Sequence, residues 1–230
     1  MKHKMLLFMA ALILAGCARQ PPERTISLVT SAPPQVPPAP APKGRYGDYI
    51  HTSASIYGID ENLVKAIIKV ESGYNPDAVS RSNAIGLMQL KAATAGRDAY
   101  RLKGRYGQPS TFELKDPATN IDLGTAYLGI LKRQLSGIKN PQTLRYALTV
   151  AYVNGAGALL RSFSRDRDRA IAMINTLTPA QFYRHVQTRH PAPQAPRYLW
   201  KVNTAYLAMV GGENSVASSA DNGLIASTQR

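Results

Sequence analysis

The sequence predicts an all-α domain over residues 44–210, and three observations support this fold class. Apolar residues beyond Gly44 recur at helical spacing almost throughout. No convincing stretch of alternating apolar and polar residues lies between hairpin turns, which argues against a sheet. The length of 230 residues suits one ordinary domain with flexible ends. We therefore expect a helical domain with segments that lack a core on either side.

Residues 1–16 have the pattern of a secretory signal peptide. A short positive region at 1–4 precedes an apolar run at 5–15, which is too short to span a bilayer, and small residues follow. This pattern predicts that the protein is exported.

Cys17 is the only cysteine, so one chain can form neither a disulfide framework nor a cysteine-bound metal site. Residues 14–17, Leu-Ala-Gly-Cys, resemble the bacterial lipobox, in which cleavage before the cysteine leaves it N-terminal and diacylated. The alternative is a buried or spare thiol. We expect lipidation, and Ala18 after the anchor favours transfer to the outer membrane, facing the periplasm.

The segment 17–43 continues from the lipidated cysteine as a linker. It is rich in proline and holds few large apolar residues, a composition that cannot pack a core. A polyproline II tether of this length, at roughly 3.1 Å per residue, could extend on the order of 75 Å.

The helices are predicted from apolar periodicity and from residues that start helices. Asp60 and the pair Asn140-Pro141 are suitable starts, since they supply an acceptor or a fixed φ. The tail 211–230 is rich in Gly, Ser, Ala and Asn and is expected to be disordered. The predicted helices are Tyr46–Tyr57, Glu61–Ser72, Gly86–Tyr100, Thr119–Leu135, Gln142–Asn154, Ala156–Phe163, Arg167–Asn175, Pro179–Arg189 and Arg197–Val210.

The formal net charge of +14 favours polyanionic partners, which include nucleic acid, anionic lipid and acidic cell-wall polymer. No basic face interleaved with aromatics, zinc-type spacing or RNA-binding signature is present, which argues against nucleic acid. His51, His185 and His190 show no metal-ligand spacing and are expected at the surface or in packing.

Glu71 is an acid at the end of an apolar helix. Leu63, Ile67 and Val70 mark the apolar face, and Glu71 lies on or beside it. Desolvation and the negative end of the helix dipole would both raise its pKa. A carboxylic acid still protonated near neutral pH is what glycosidic cleavage requires. The alternative is a glutamate solvated at a fraying helix end.

The loop 74–83 holds several short hydrogen-bonding side chains, including Asn75, Ser80, Ser82 and Asn83. Such groups suit sugar hydroxyls and acetamides, and turns use them equally.

Four motifs in order over 46–210 resemble the superfamily of soluble lytic transglycosylases and goose-type lysozymes. They are Glu71-Ser72, Gly86-Leu87-Met88-Gln89, Ala151-Tyr152-Val153-Asn154-Gly155 and the late Tyr198. The stretches 83–90, 154–160 and 190–198 are similar, more narrowly, to the outer-membrane, endo-acting branch of that superfamily.

The resemblance implies a lysozyme-like helical domain with Glu71 as acid and base in a groove for alternating N-acetylglucosamine and N-acetylmuramic acid. It implies cleavage of peptidoglycan strands with formation of 1,6-anhydro ends and without a cofactor or metal. Matching site residues are Ser80 and Ser82 for contacts near the catalytic centre, Met88 and Gln89 for the groove wall, Tyr152 beside the glutamate, Tyr198 near the scissile sugar, and Asn154.

Two departures from the family pattern affect the site. Val153 separates the tyrosine from the asparagine, which turns Asn154 about 100° around an α-helix. Gln194 stands four positions before Tyr198, where many relatives have an acid.

Two other functions remain open from the sequence. Simple hydrolysis would conventionally need a second carboxylate, for which the motif regions offer Asp77 and little else. A lipoprotein that binds glycan without cleaving it would not require Glu71.

Overall fold

The computed structural model describes residues 46–227, with side chains described as far as Gly211. The predicted signal peptide, Cys17 and the linker lie outside the described residues. Where the structure is described, it is helical, with isolated bridges between Val79 and Ile85 and between Ile85 and Leu90 in place of any strand. The predicted all-α fold class is confirmed.

The helices are α1 (Gly47–Tyr57), α2 (Glu61–Glu71), α3 (Arg97–Leu102), α4 (Thr111–Lys115), α5 (Pro117–Gln134), α6 (Pro141–Asn154), α7 (Ala156–Arg161), α8 (Arg167–Asn175), α9 (Pro179–Arg189) and α10 (Gln194–Ser227). A single π-helical turn, Ala92–Gly96, leads directly into α3. None of these described helices has the length and apolarity to cross a membrane. The predicted disorder of 211–230 stays a prediction.

Two helix starts form as the sequence indicates. The Asp60 carboxylate accepts hydrogen bonds from the backbone N–H groups of Asn62 at 2.8 Å and Leu63 at 3.4 Å. The Asn140 side chain caps α6 by accepting from the N–H of Thr143 at 3.0 Å. These acceptors satisfy backbone donors that a helix leaves unpaired in its first turn.

Helix α2 lies in the middle of the core. Five of its residues are buried: Leu63, Val64, Ala66, Ile67 and Ile68. Helix α10 packs along it, α1 packs against α5, and α6 contacts α5, α7 and α10. Burying each large aliphatic side chain contributes about 1.5–3 kcal/mol. This packing holds the last turn of α2, and with it Glu71, in a fixed place.

The prediction of one helix over Gly86–Tyr100 is wrong in its first part. Gly86 and Gln89 have φ of 78° and 48°, which a right-handed helix cannot contain. Ile85 and Leu90 exchange two backbone hydrogen bonds of 3.0 Å, which close a tight loop over 86–89. Helical structure begins only at Ala92.

The buried side chain of Asn120 on α5 stabilises this loop. Its amide nitrogen donates to the carbonyls of Ile85 at 3.0 Å and Leu114 at 2.7 Å, and its oxygen accepts from the N–H of Met88 at 2.8 Å. Buried polar groups require such partners. Asn120 therefore replaces the backbone bonds that a helix would have supplied.

The short helix α4 was missed by the sequence prediction. Ser110 and Glu113 form a capping box, in which the serine hydroxyl accepts from the N–H of Glu113 at 3.2 Å and the glutamate accepts from the N–H of Ser110 at 2.9 Å. The Ser-x-x-Glu pattern is a recognisable start signal. The helix is too short for apolar periodicity to reveal it.

Candidate active site

Glu71 ends α2 and is half-buried. The hydroxyl of Tyr198 donates a hydrogen bond to its Oε1 at 2.6 Å. Burial raises the pKa of Glu71, while the Tyr198 hydrogen bond and the positive charge of Lys201 oppose that rise. The net effect is a carboxyl group that stays protonated to higher pH than an exposed glutamate does.

Tyr198 on α10 and Tyr152 on α6 both lie close to Glu71. Burial raises the pKa of each phenol well above its usual value, and the negative charge of Glu71 raises it further. Both hydroxyls therefore remain protonated hydrogen-bond donors. The Tyr152 hydroxyl uses its proton on the Met88 carbonyl, at 2.7 Å, and leaves Tyr198 as the direct partner of the glutamate.

Tyr127 is a third tyrosine in this region that the sequence did not single out. Its ring packs edge-on against that of Tyr152, with centroids 5.7 Å apart. It comes from α5, outside every motif quoted for the site, so no local pattern marks it. The contact restricts the orientation of Tyr152.

Ser72 connects the C-terminal end of α2 to the loop over 86–90. Its hydroxyl is 2.8 Å from the carbonyl of Leu87 and 3.2 Å from that of Ile68. The pair Glu71-Ser72 thus combines the candidate acid with a side chain that ties the end of its helix to a neighbouring loop.

Ser80 and Ser82 lie together in the 74–83 loop. Their hydroxyl oxygens are 3.2 Å apart, and Ser80 also accepts from the N–H of Ala84 at 3.0 Å. Ser82 is exposed and Ser80 is half-buried. Their predicted contact with substrate stays a prediction, and the Ser80 hydroxyl also stabilises the turn.

Met88 does not line an accessible groove wall in the structure. Its side chain is fully buried against α5, where a Cβ added to Gly124 would lie 2.3 Å from its Sδ. The predicted side-chain contact with substrate is therefore corrected: Met88 packs in the core, and its carbonyl holds the Tyr152 hydroxyl. Its apolar thioether is the reason that it occupies this gap in the core.

Gln89 is half-buried, and its side chain stabilises the loop over 86–90. Its side-chain amide donates to the carbonyls of Ala78 and Gly86, both at 3.0 Å. These bonds link the 74–83 loop to the 86–90 loop. A place in the groove wall stays a prediction for this residue.

Asn154 and Gln194, the two departures from the family pattern, contact each other. The Gln194 amide donates to Oδ1 of Asn154 at 2.7 Å, and the Asn154 amide donates to the Val150 carbonyl at 3.3 Å. The bond joins the last turn of α6 to the first turn of α10, one turn before Tyr198. A direct contact of Asn154 with substrate stays a prediction.

Asp77, the alternative second carboxylate, is exposed and forms an ion pair with Lys115 at 3.6 Å. The Asp77 carboxylate is thus paired with α4, and the backbone N–H of Asp77 donates to the side-chain oxygen of Asn75 at 2.9 Å.

Comparison with known proteins places this arrangement in a family. Residues 48–175 match the family model described as the transglycosylase SLT domain. The chain belongs to the SLT transglycosylase family. The predicted family and the predicted enzyme class are thereby confirmed.

Two curated relatives of this SLT protein carry the same name, endo-type membrane-bound lytic murein transglycosylase A. The relative from Cronobacter sakazakii is 50% identical over 211 residues, which cover 91% of this chain and 100% of the relative. The relative from Salmonella paratyphi B is 52% identical over 199 residues, which cover 86% of this chain and 95% of the relative.

Two solved structures are similar to this SLT domain. An inactive mutant of the lytic transglycosylase Slt from Pseudomonas aeruginosa matches with a TM-score of 0.57 and 26% identity over 73% of this chain and 24% of that one. The 70-kDa soluble lytic transglycosylase in complex with bulgecin A matches with a TM-score of 0.56 and 25% identity over 73% and 25%. The chain spans about a quarter of these larger proteins.

Proposed function

We propose that this SLT protein cleaves the β-1,4 bond between N-acetylmuramic acid and N-acetylglucosamine in murein and leaves 1,6-anhydromuramyl ends. The observation that carries the proposal is Glu71, a half-buried acid with a raised pKa and a direct hydrogen bond from Tyr198. The names of its relatives as lytic murein transglycosylases support the substrate and the reaction.

In the first step, Glu71 donates its proton to the glycosidic oxygen as that bond breaks. Its raised pKa keeps the proton available to higher pH than in an exposed glutamate. As the carboxylate forms, the Tyr198 hydroxyl and the charge of Lys201 stabilise it. Both groups act on the ionised form, so they lower the energy of the species that proton transfer produces.

The cation-like muramyl carbon then needs a partner that a second carboxylate would normally supply. Asp77 is paired with Lys115 and exposed, so it is poorly suited to that role. The 2-acetamido oxygen of the same sugar can act instead, at the high effective concentration of an intramolecular group.

In the second step, the ionised Glu71 accepts the proton of the muramyl C6 hydroxyl as that oxygen bonds to C1. The ring closes to the 1,6-anhydro product, and the glutamate returns to its acid form. One residue thus serves as acid and then as base. This scheme requires neither water nor a cofactor.

The proposal includes internal cleavage of glycan strands and a location at the outer membrane, facing the periplasm. The endo-type name of the relatives supports internal cleavage, and their membrane-bound name supports association with a membrane. The lipobox-like sequence before Cys17 supports a lipid anchor, and Ala18 after it favours the outer membrane.

Digestion of murein in water enriched in heavy oxygen tests the reaction. We expect 1,6-anhydromuramyl ends that carry no solvent oxygen at C1. Labelled reducing ends would indicate hydrolysis, and binding to murein without either product would indicate a glycan-binding lipoprotein.

A further inference from the structure

Basic residues are distributed unevenly along the described chain. Residues 46–155 hold thirteen Lys and Arg against nine Asp and Glu, whereas 156–211 hold eight against Asp166 and Asp168 alone. Seven of those eight are arginine, and the eighth is Lys201. The C-terminal helices therefore carry a strong positive charge that is mostly guanidinium.

Ion pairs neutralise little of this charge. Within residues 156–211 the ion pair found is Arg167 with Asp168, at 3.5 Å. Asp166 uses a carboxylate oxygen to cap α8 by accepting from the N–H of Arg169 at 2.7 Å. In 46–155, by contrast, five cations lie within 4.0 Å of carboxylates: Lys65, Arg101, Lys103, Arg105 and Lys115.

Four of the arginines, Arg161, Arg165, Arg184 and Arg189, form what we call the cationic patch. They lie on the two segments that carry a stacked pair of rings, Phe163 on His185, whose centroids are 3.8 Å apart.

Positions in the sequence and contacts of neighbouring residues place the arginines near these rings. Arg161 precedes Ser162, whose hydroxyl is 3.4 Å from the His185 ring, and Arg165 follows Phe163 by two residues. On α9, Arg184 directly precedes His185 in the chain. Burial lowers the pKa of His185, and the charge of Arg189, four residues later, lowers it further. All four arginines are exposed.

The patch begins close to the candidate active site. Arg161 ends α7, which starts directly after Gly155, and six helical residues span about 9 Å. Asn154 ends α6, two positions before α7 begins. Its side chain accepts a hydrogen bond from Gln194, which lies one turn before Tyr198. A polymer that passes through the site is therefore within reach of the patch.

We propose that the cationic patch binds the carboxylates of the peptide stems carried by murein, and so retains the enzyme on peptide-bearing strands. The inference rests on the proposed function, because it takes murein as the polymer. In murein the muramic acid carboxyl is consumed in the amide bond to the peptide, so the peptide stems supply the carboxylates of the strand. Guanidinium groups bind carboxylates through paired, parallel hydrogen bonds, which fits the prevalence of arginine over lysine here.

A variant with Arg161→Gln, Arg165→Gln, Arg184→Gln and Arg189→Gln tests the patch. A control with Arg97→Gln, Arg101→Gln, Arg133→Gln and Lys139→Gln removes the same charge from exposed positions on other elements. Both are made in the Glu71→Gln background, so that the murein stays intact while binding is measured. The probes are whole sacculi, sacculi whose peptide carboxylates have been converted to neutral amides, and vesicles of anionic phospholipid.

We expect the patch variant to bind whole sacculi about tenfold more weakly than its parent at physiological salt, since several rim charges each contribute a fraction of a kcal/mol. The control should lose much less, and conversion of the peptide carboxylates to neutral amides should abolish the difference between parent and patch variant. Equal losses in patch variant and control would overturn the proposal in favour of net charge. A loss confined to vesicles would overturn it in favour of a lipid surface.

Turnover separates this inference from the proposed function. With Glu71 restored, the patch variant should cleave murein whose peptide carboxylates are neutral amides at the parental rate. If neither protein cleaves murein in any form, the proposed function fails. If both cleave it and sacculus binding is unchanged, the patch proposal alone fails.

Discussion

At the scale of single residues, the chemistry of the site depends on how Glu71 is solvated. Burial favours its neutral form, and Tyr198 and Lys201 favour its ionised form. Because burial is the larger influence, the native state binds the proton more tightly than the unfolded state does. Stability should therefore increase as pH falls through the raised folded pKa toward that of the unfolded chain, near 4.3.

The substitution Glu71→Gln removes the transferable proton while it keeps the shape of the side chain. We expect turnover to fall roughly a hundredfold to ten-thousandfold, the usual contribution of a general acid–base group. The folded state should gain stability at neutral pH, because a buried charge is replaced by a neutral amide, and the gain should shrink in acid. Steady-state kinetics and thermal unfolding over a pH series measure both effects. Undiminished turnover would remove Glu71 from the chemistry.

The substitution Tyr198→Phe removes the hydrogen bond that stabilises the Glu71 carboxylate. The pKa of Glu71 should rise further, so the alkaline fall in kcat/KM should move to higher pH. Tyr127→Phe is the matched control, because Tyr127 contacts Tyr152 and not the glutamate, and its profile should keep the parental position. A Tyr198→Phe profile unmoved from that of the parent would contradict the hydrogen bond as a determinant of acidity.

Some site residues could be predicted from the sequence and others could not. Glu71 was marked by an acid on an apolar helix face, which is a local pattern. The burial of Met88 depends on Gly124, and the place of Tyr127 depends on packing between α5 and α6, so neither is visible from neighbours in the chain.

At the scale of elements, the long helices were predictable because their apolar residues recur at helical spacing. Several of them, α2, α5, α6, α8 and α9, also begin at a capping side chain. The loop over 86–90 was not, because its backbone is held by Asn120, which follows Met88 by 32 positions. A short apolar run has the same appearance in a helix, a strand or a buried turn. The missing information was a tertiary hydrogen bond.

The substitution Gly86→Ala tests that loop. A Cβ there would lie 2.2 Å from the Leu114 carbonyl and 2.3 Å from the Asn120 amide nitrogen, at a φ of 78°. We expect a loss of about 2–4 kcal/mol in the free energy of unfolding, from overpacking and left-handed strain together. Gly104→Ala, at a φ of 69° with no atom within 4 Å of the added carbon, should lose only the strain, about 1 kcal/mol. Urea unfolding measures both, and equal losses would show that the close approach to Asn120 has no energetic effect.

At the scale of the whole molecule, the described core belongs to the helical domain. Its buried apolar residues run from Tyr46 to Val202. The change from proline-rich to periodically apolar composition predicts a boundary near 44, which stays a prediction. The proposed lipid anchor at Cys17 lies outside the described residues and needs its own test.

The substitution Cys17→Ser removes the sulfur that would accept the diacylglyceryl group, and the hydroxyl is a far weaker nucleophile than the thiolate. In envelope fractions from cells, we expect the parent in the membrane fraction with a lipid mass on Cys17, and the variant either released or retained with residues 1–16 uncleaved. Because Cys17 lies far along the chain from the described core, which spans Tyr46 to Val202, both forms should fold alike and cleave soluble murein glycan at the same rate once purified. Cleavage of whole sacculi in the cell should fall in the variant, since an anchored enzyme has a higher effective concentration at the wall than a diffusing one. Native protein whose cysteine carries no lipid by mass spectrometry would contradict the anchor while leaving the proposed reaction at Glu71 intact.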